Sequence, residues 1–243
     1  VALEFNGISE KISLGIDVQS LWQEVLPILK SHKPSVRSPA VSGWALQAHP
    51  GAEDPLHAGW EASFCPYNGP GNQSPSWNPQ TESEKTYHAV QDFYEPTPAC
   101  TAGFLKILRR LEDLQLNPRR ARIIRLSPAS TMQWHRDGAP EIYQARLHIP
   151  LITNQNCFFE NENGRFHMPV DGDGYVVHIN RPHRAVNEGT EARFHFVTHI
   201  WDRAGITQFH RYQSEMYQQE APHPGDCDLK QLFAVTPPTK TKS

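Results

Sequence analysis

Two hydrophobic periods divide the chain. Over residues 17–31, Val18, Leu21, Trp22, Val25, Ile28 and Leu29 recur at helical spacing, with Asp17 placed to cap the first turn. Pro27 inside that pattern predicts a kink or an early end. A second helix is predicted over 101–115, with a buried stripe of Phe104, Leu105, Leu108, Leu111 and Leu114 and a stop at Asn117-Pro118. From Arg120 the period shortens to two. Strands are expected at 120–127, 130–136, 143–152, 156–160, 164–168, 174–180, 183–188 and 192–202. The turn clusters Asn161-Glu162-Asn163-Gly164 and Asp171-Gly172-Asp173-Gly174 separate some of them. Many short strands with regular punctuation predict a sandwich or barrel of the jelly-roll kind, an all-β core with flanking helices.

Between the two helical patterns, residues 49–81 are rich in Pro, Gly, Asn and Ser and read as a long functional loop, with Trp60, Phe64, Tyr67 and Trp77 to pack on something. The expected organisation is one domain. Residues 1–118 form a helical and loop buttress with substrate loops, 119–203 the jelly-roll core, and 204–243 a lid or loose tail.

Composition narrows the class. The 243 residues are 38% hydrophobic and 20% charged, with a net charge of -3, which fits a globular chain and offers no electrostatic footprint for nucleic acid. The run Arg119-Arg120-Ala121-Arg122 reads as a solvated strand or helix end rather than a phosphate groove. No apolar run approaches the about 20 residues that cross a bilayer. No leader is visible at the start, and a cytoplasmic protein without a membrane partner is expected. Cys65, Cys100, Cys157 and Cys227 form no C-x-x-C pair, against a zinc ribbon or redox motif.

The chemistry concentrates between Thr131 and Asp202. His135 and Asp137 stand two apart, so one strand end can aim an imidazole and a carboxylate at one cation. A third ligand must come from elsewhere, and His183 is the best candidate; His178, His195 and His199 are rivals. Two histidines and a carboxylate occupy one face of an octahedral iron(II) and leave the other positions open. Arg193 follows His183 by ten residues. If 183–187 and 192–197 pair as antiparallel strands, Arg193 comes close to His183 and can clamp the far carboxylate of a diacid such as 2-oxoglutarate. Arg146 and His148 share one face of the strand 143–152: turned inward they suit the cosubstrate or the substrate, turned outward they meet solvent. Trp44 and Trp134 are candidates for walls of a water-poor substrate pocket; ordinary packing is the bland alternative for each.

The segments Trp134-His135-Arg136-Asp137, Arg146-Leu147-His148-Ile149-Pro150-Leu151, Gly172-Asp173-Gly174-Tyr175-Val176-Val177-His178, Arg181-Pro182-His183-Arg184-Ala185-Val186-Asn187 and Arg193-Phe194-His195 together resemble the aspartyl/asparaginyl β-hydroxylase family of 2-oxoglutarate oxygenases, a pattern that bacterial proline hydroxylases share. The resemblance covers about 120–202. It implies a double-stranded β-helix, iron ligation by His135, Asp137 and His183, and 2-oxoglutarate binding by Arg193 with Arg146 and His148 nearby. Some animal members lack the carboxylate; this chain keeps Asp137. The implied reaction consumes dioxygen and 2-oxoglutarate, releases succinate and carbon dioxide, and hydroxylates an unactivated C–H bond of an Asp/Asn- or Pro-like amino acid, free or in a peptide. Two other functions use the same residues. One is a divalent-metal cupin hydrolase or isomerase, which has no need of Arg193. The other is a metal-free barrel that binds an acidic ligand.

Overall fold

The computed structural model describes residues 3–5, 9–58, 63–64, 88–89, 93–135, 137, 145–179 and 182–200. Most of the predicted loop 49–81, with Trp60, Tyr67 and Trp77, and the C-terminal segment 204–243 lie outside the described residues.

Eight strands carry the core: β9 (Arg119–Leu126), β10 (Ser130–Thr131), β11 (Ala145–Ile152), β12 (Cys157–Asn161), β13 (Gly164–Phe166), β14 (Gly174–His178), β15 (His183–Asn187) and β16 (Arg193–Ile200). Each falls on a predicted strand. They separate into two antiparallel sheets, in which β14-β11-β16-β9 is the heart of the larger and β10-β15-β12-β13 is the smaller. The chain changes sheet at almost every turn, so strands distant in sequence become neighbours. That alternation is the wiring of a double-stranded β-helix.

The first hundred residues add strands as well as helices. β1 (Leu3–Phe5) and β2 (Ser9–Ile12) extend the large sheet beyond β14, and β4 (Val41–Ala45) and β3 (Ser35–Val36) extend it beyond β9. Short pairs β5 (Gln47–Ala48) with β8 (Glu95–Pro96), and β6 (Ser63–Phe64) with β7 (His88–Ala89), stand apart. Near 172 the chain meets the β2–α1 connection closely: Ile16 N donates to Gly172 O at 2.9 Å. Gly172 has φ +81°, and a Cβ there would sit 2.4 Å from Ile16 O, so only glycine fits.

Helix α1 (Val18–Ser31) is capped as its sequence predicts, Asp17 accepting from Ser20 N at 3.0 Å. Pro27 does not end it; the helix runs on to Ser31. The proline removes its own N–H bond and its ring crowds the carbonyl one turn back, and buried Val25 and Leu29 hold the turns on either side against the sheet. A short α2 (Pro55–Ala58) follows, then α3 (Ala102–Asp113), which buries Phe104, Ile107, Leu108 and Leu111. α3 stops before Asn117-Pro118, where Gln115 (φ 58°) and Asn117 (φ 44°) turn the chain left-handed. Glu24 on α1 accepts from Gly103 N at 3.0 Å, satisfying one of the open N–H groups at the start of α3. Among the described residues no helix is long and apolar enough to cross a membrane.

The large sheet has two unlike faces. Towards α1 and α3 it presents Ala121, Ile123, Leu147, Ile149, Val176 and Phe196, all buried in the main apolar cluster. Burying each of the larger side chains stabilises the fold by about 1.5–3 kcal/mol. Towards the small sheet it presents Arg122, Arg146, His148, Arg193, His195 and His199, also buried or nearly so. The Arg119–Arg122 run is therefore not a solvated strand end: Arg120 and Arg122 are 6% and 5% exposed. Pro150, which cannot donate to a ladder, sits at a register shift in β11.

Candidate metal centre

The small sheet delivers two of the predicted ligands. His135 lies just beyond β10 and forms an isolated antiparallel bridge with His183 at the start of β15. His135 N donates to His183 O at 3.1 Å and His183 N to His135 O at 3.0 Å. This reciprocal pair fixes both backbones, and the imidazoles face each other with centroids 4.3 Å apart. Asp137 is tied from the other sheet, its N donating to Ile179 O at 2.8 Å just past β14. His135 Nε2 and His183 Nε2 lie 3.9 Å and 3.7 Å from Asp137 Oδ2. Among the described residues these three form the group whose ligand atoms converge, all within 4.8 Å of one another.

The donor set fits a cation. Ligand atoms about 2.1 Å from a common metal stand roughly 3–3.5 Å apart in octahedral or tetrahedral geometry. The observed separations require only a small contraction. The tautomer is also correct: His135 Nδ1 donates to Gln133 O at 2.8 Å, which leaves Nε2 with its lone pair facing Asp137. His183 is steered by Phe159, whose ring stacks on it at 5.4 Å and 18°. Asp137 Oδ2 makes no directed hydrogen bond; its compensation is charge, with Arg146 Nη2 2.7 Å away. Burial alone would raise the pKa of this carboxyl. Arg146, His183 and His135 outweigh it and keep Asp137 ionised, well below the usual carboxylate range.

Arg146 and His148 both turn inward from β11, which resolves the alternative left by their spacing. Arg193 also faces the space between the sheets, but by a different route from the predicted hairpin. β15 pairs with β10 and β12, whereas β16 pairs with β9 and β11, so His183 and Arg193 belong to opposite sheets and do not pair. The reason is Asn187. Its Nδ2 donates to Leu126 O, Ser127 O and Glu191 O, and its Oδ1 accepts from Gly189 N and Cys157 Sγ. This buried amide turns the chain out of one sheet and into the other just before Arg193. Arg193 is 4% exposed, and its Nε has no hydrogen-bond partner. Burial lowers its pKa to about 10, so it stays charged at neutral pH.

The structure does not bring the two tryptophans to the site. Trp44 lies on the helix-facing side of β4, in the main apolar cluster, with Nε1 donating to His32 O at 2.9 Å. Trp134 is 49% exposed and lies under the Arg184 guanidinium, 4.9 Å from its ring centre. That is the outer face of the small sheet, where Arg184 Nε bonds Glu160 Oε2. Of the rival histidines, His178 lies opposite Ala145 on the helix-facing side, and His195 and His199 face inward without joining the three ligands. A cleft of about 320 Å³ between α1 and α3, lined by Leu14, Leu21, Lys106 and Arg110 among others, contains none of the predicted site residues.

The sequence model of the Aspartyl/Asparaginyl beta-hydroxylase family matches residues 68–203, more than half of the chain. No curated protein matches. Among solved structures, the chain is similar to an oxidoreductase of the 2OG-Fe(II) oxygenase family from Burkholderia pseudomallei, at 13% identity over 76% of this chain and 78% of that one, with a TM-score of 0.43. It is similar to a prolyl hydroxylase from Trichoplax adhaerens in complex with a hypoxia inducible factor peptide fragment, at 12% identity over 83% and 82%, TM-score 0.39. A cupin domain from Bordetella pertussis aligns with 33% of this chain and 78% of its own at 17% identity, TM-score 0.27.

Proposed function

The chain belongs to the aspartyl/asparaginyl β-hydroxylase family, and from that premise we propose that it is an Fe(II)- and 2-oxoglutarate-dependent hydroxylase of an amino acid, Asp/Asn- or Pro-like, free or within a peptide. The observation that carries the reading is the convergence of His135, Asp137 and His183 beside three inward-facing cations, Arg122, Arg146 and Arg193. Bound iron, with 2-oxoglutarate and dioxygen, would supply the oxidising power for an unactivated C–H bond, with succinate and carbon dioxide as co-products.

The chain's own residues bind, orient and exclude water. His135 and Asp137 on one segment and His183 on the facing strand would hold the metal from one side. Arg193 would neutralise the distal carboxylate of the cosubstrate. Arg146, released from Asp137 by a cation, would be free to meet the carboxylate nearer the metal. The apolar clusters of Phe159, Tyr175 and Val177 on one side and Val41, Leu126 and Ala185 on the other wall the polar slot from water. We place the protein in the cytoplasm, in keeping with the free thiols of Cys100 and Cys157.

The test is succinate formation by protein loaded with Fe(II) and incubated with 2-oxoglutarate and a panel of free amino acids and short peptides. A substrate that gains one oxygen in step with succinate is the expected result, and His135→Ala abolishes both. Turnover of a substrate without 2-oxoglutarate would favour the hydrolase or isomerase reading. No metal bound by protein prepared without oxygen would favour the binding barrel.

A further inference from the structure

Arg193 and His195 stand two apart on the inward face of β16, and His148 faces the same space from neighbouring β11. His195 and His148 are 2% and 8% exposed. Their Nδ1 atoms lie 3.4 Å apart, within hydrogen-bond reach at a long distance, and His195 Nε2 is buried with no hydrogen-bond partner. His148 also makes a T-shaped contact with Phe159, 6.3 Å between ring centroids, and Phe159 is the ring that stacks on His183. The row His195, His148, Phe159, His183 thus spans the slot from the Arg193 end to the ligands.

Two imidazole Nδ1 atoms can share only one proton, so one ring donates and the other accepts. Burial, reinforced by Arg193 and other cations, keeps both rings neutral, well below the ordinary histidine range. A neutral ring carries one N–H. If His148 donated, His195 would have to carry its proton on the orphaned, buried Nε2. If His195 donates, its Nε2 is left as a bare lone pair on the same strand as the Arg193 guanidinium. An unpartnered buried N–H is rarer and costlier than an under-used acceptor. The second arrangement therefore wins. It puts the proton of His148 on Nε2, the nitrogen left for the slot.

We infer that His195 is a positioning residue: it donates through Nδ1 to His148 and so fixes His148 as an Nε2–H donor aimed at an anionic group in the slot. Resting on the cosubstrate reading above, that group is a carboxylate of 2-oxoglutarate. A histidine of the opposite tautomer would present a lone pair and repel it.

Two measurements test this. In the intact protein, long-range 15N–1H imidazole spectra assign the tautomers with no cosubstrate present; the expected result is His148 protonated on Nε2 and His195 on Nδ1, and the reverse pair overturns the inference. In turnover, His195→Leu removes the donor and should raise the KM for 2-oxoglutarate about tenfold while leaving kcat at saturation within twofold. His195→Asn, whose amide nitrogen stands near the lost Nδ1, should restore most of the loss. An unchanged KM in His195→Leu overturns the positioning role while the cosubstrate reading stands. Equal losses in the Leu and Asn variants reduce His195 to packing and also overturn it. A wild-type protein that neither binds nor consumes 2-oxoglutarate removes the reading and the inference together.

Discussion

The two faces of the large sheet come from the same strands and are buried to similar depths, yet their chemistry is opposite. Towards α1 and α3, β9, β11 and β16 present Ile123, Leu147, Ile149 and Phe196, each fully buried. Towards the small sheet the same strands present Arg122, Arg146, His148, Arg193 and His195. Burying apolar carbon stabilises the fold; burying guanidinium and imidazole groups costs free energy unless a partner meets them. One face therefore holds the barrel together, and the other is kept at a cost that a bound metal and anion would offset. The period of two separates these tasks without needing separate domains.

The separation can be broken first by a substitution on the apolar face. Phe196 is fully buried and stacks on Phe104 of α3 at 5.7 Å. Phe196→Ala should lower unfolding free energy by about 3–5 kcal/mol, measured by denaturant titration. In the fraction that remains folded, metal affinity should stay within about twofold. A large loss of metal affinity at full folding would mean that the two faces are coupled.

The converse substitution is Asp137→Ala. Loss of a partner around a metal ligand costs about 10–100-fold in affinity, and loss of a ligand itself should cost at least about 100-fold, read by metal titration. It also leaves Arg146 without its counter-charge. Breaking a fully buried pair costs about 3–5 kcal/mol, and the partial exposure of Asp137 and Arg146 (29% and 17%) reduces this to about 2 kcal/mol. Unaltered metal binding in this variant would remove Asp137 from the ligand set. An Asn187→Ala change should come next, at about 2 kcal/mol, because it orphans several backbone groups at the sheet crossing. It should also weaken 2-oxoglutarate binding, since Asn187 sets the path that delivers Arg193. Unchanged cosubstrate affinity would show that Arg193 is placed by its own strand alone.

How much of this was legible follows from what each signal depends on. The core strands and their turns are local patterns and fall where the spacing predicted; His135 and Asp137 are also a local pair, whereas His183 comes from a distant strand that no local spacing ties to them. The inward turn of Arg146 and His148 was readable as a shared face but not as a direction, because their apolar partners Leu147 and Ile149 are the stronger signal and fix only the opposite face. Local spacing predicts a hairpin of 183–187 with 192–197, and the structure departs from it because a double-stranded β-helix pairs strands distant in sequence. The burial of Arg120 and Arg122 had a usable signal: arginine alternating with Ala121 and Ile123 on a strand centred in a large sheet. The short strands β2 and β4 join the large sheet through β14 and β9, distant in sequence, and no local period announces them.

The smallest effect tests the parity argument most cleanly. Trp134 precedes His135 by one residue, and neighbours on an extended strand face opposite ways. His135 turns to the metal side, so Trp134 must turn out, and its ring lies under Arg184 rather than over the slot. A cation–π contact this exposed contributes about 0.5–1 kcal/mol. Trp134→Ala should therefore cost no more than that in stability and leave metal affinity and cosubstrate KM within about twofold. Should it instead raise the KM of the amino-acid or peptide substrate about tenfold, the outer face of the small sheet would be part of the substrate path. The slot between the sheets would then no longer enclose the whole reaction, and the division between a holding face and a working face would need a third surface.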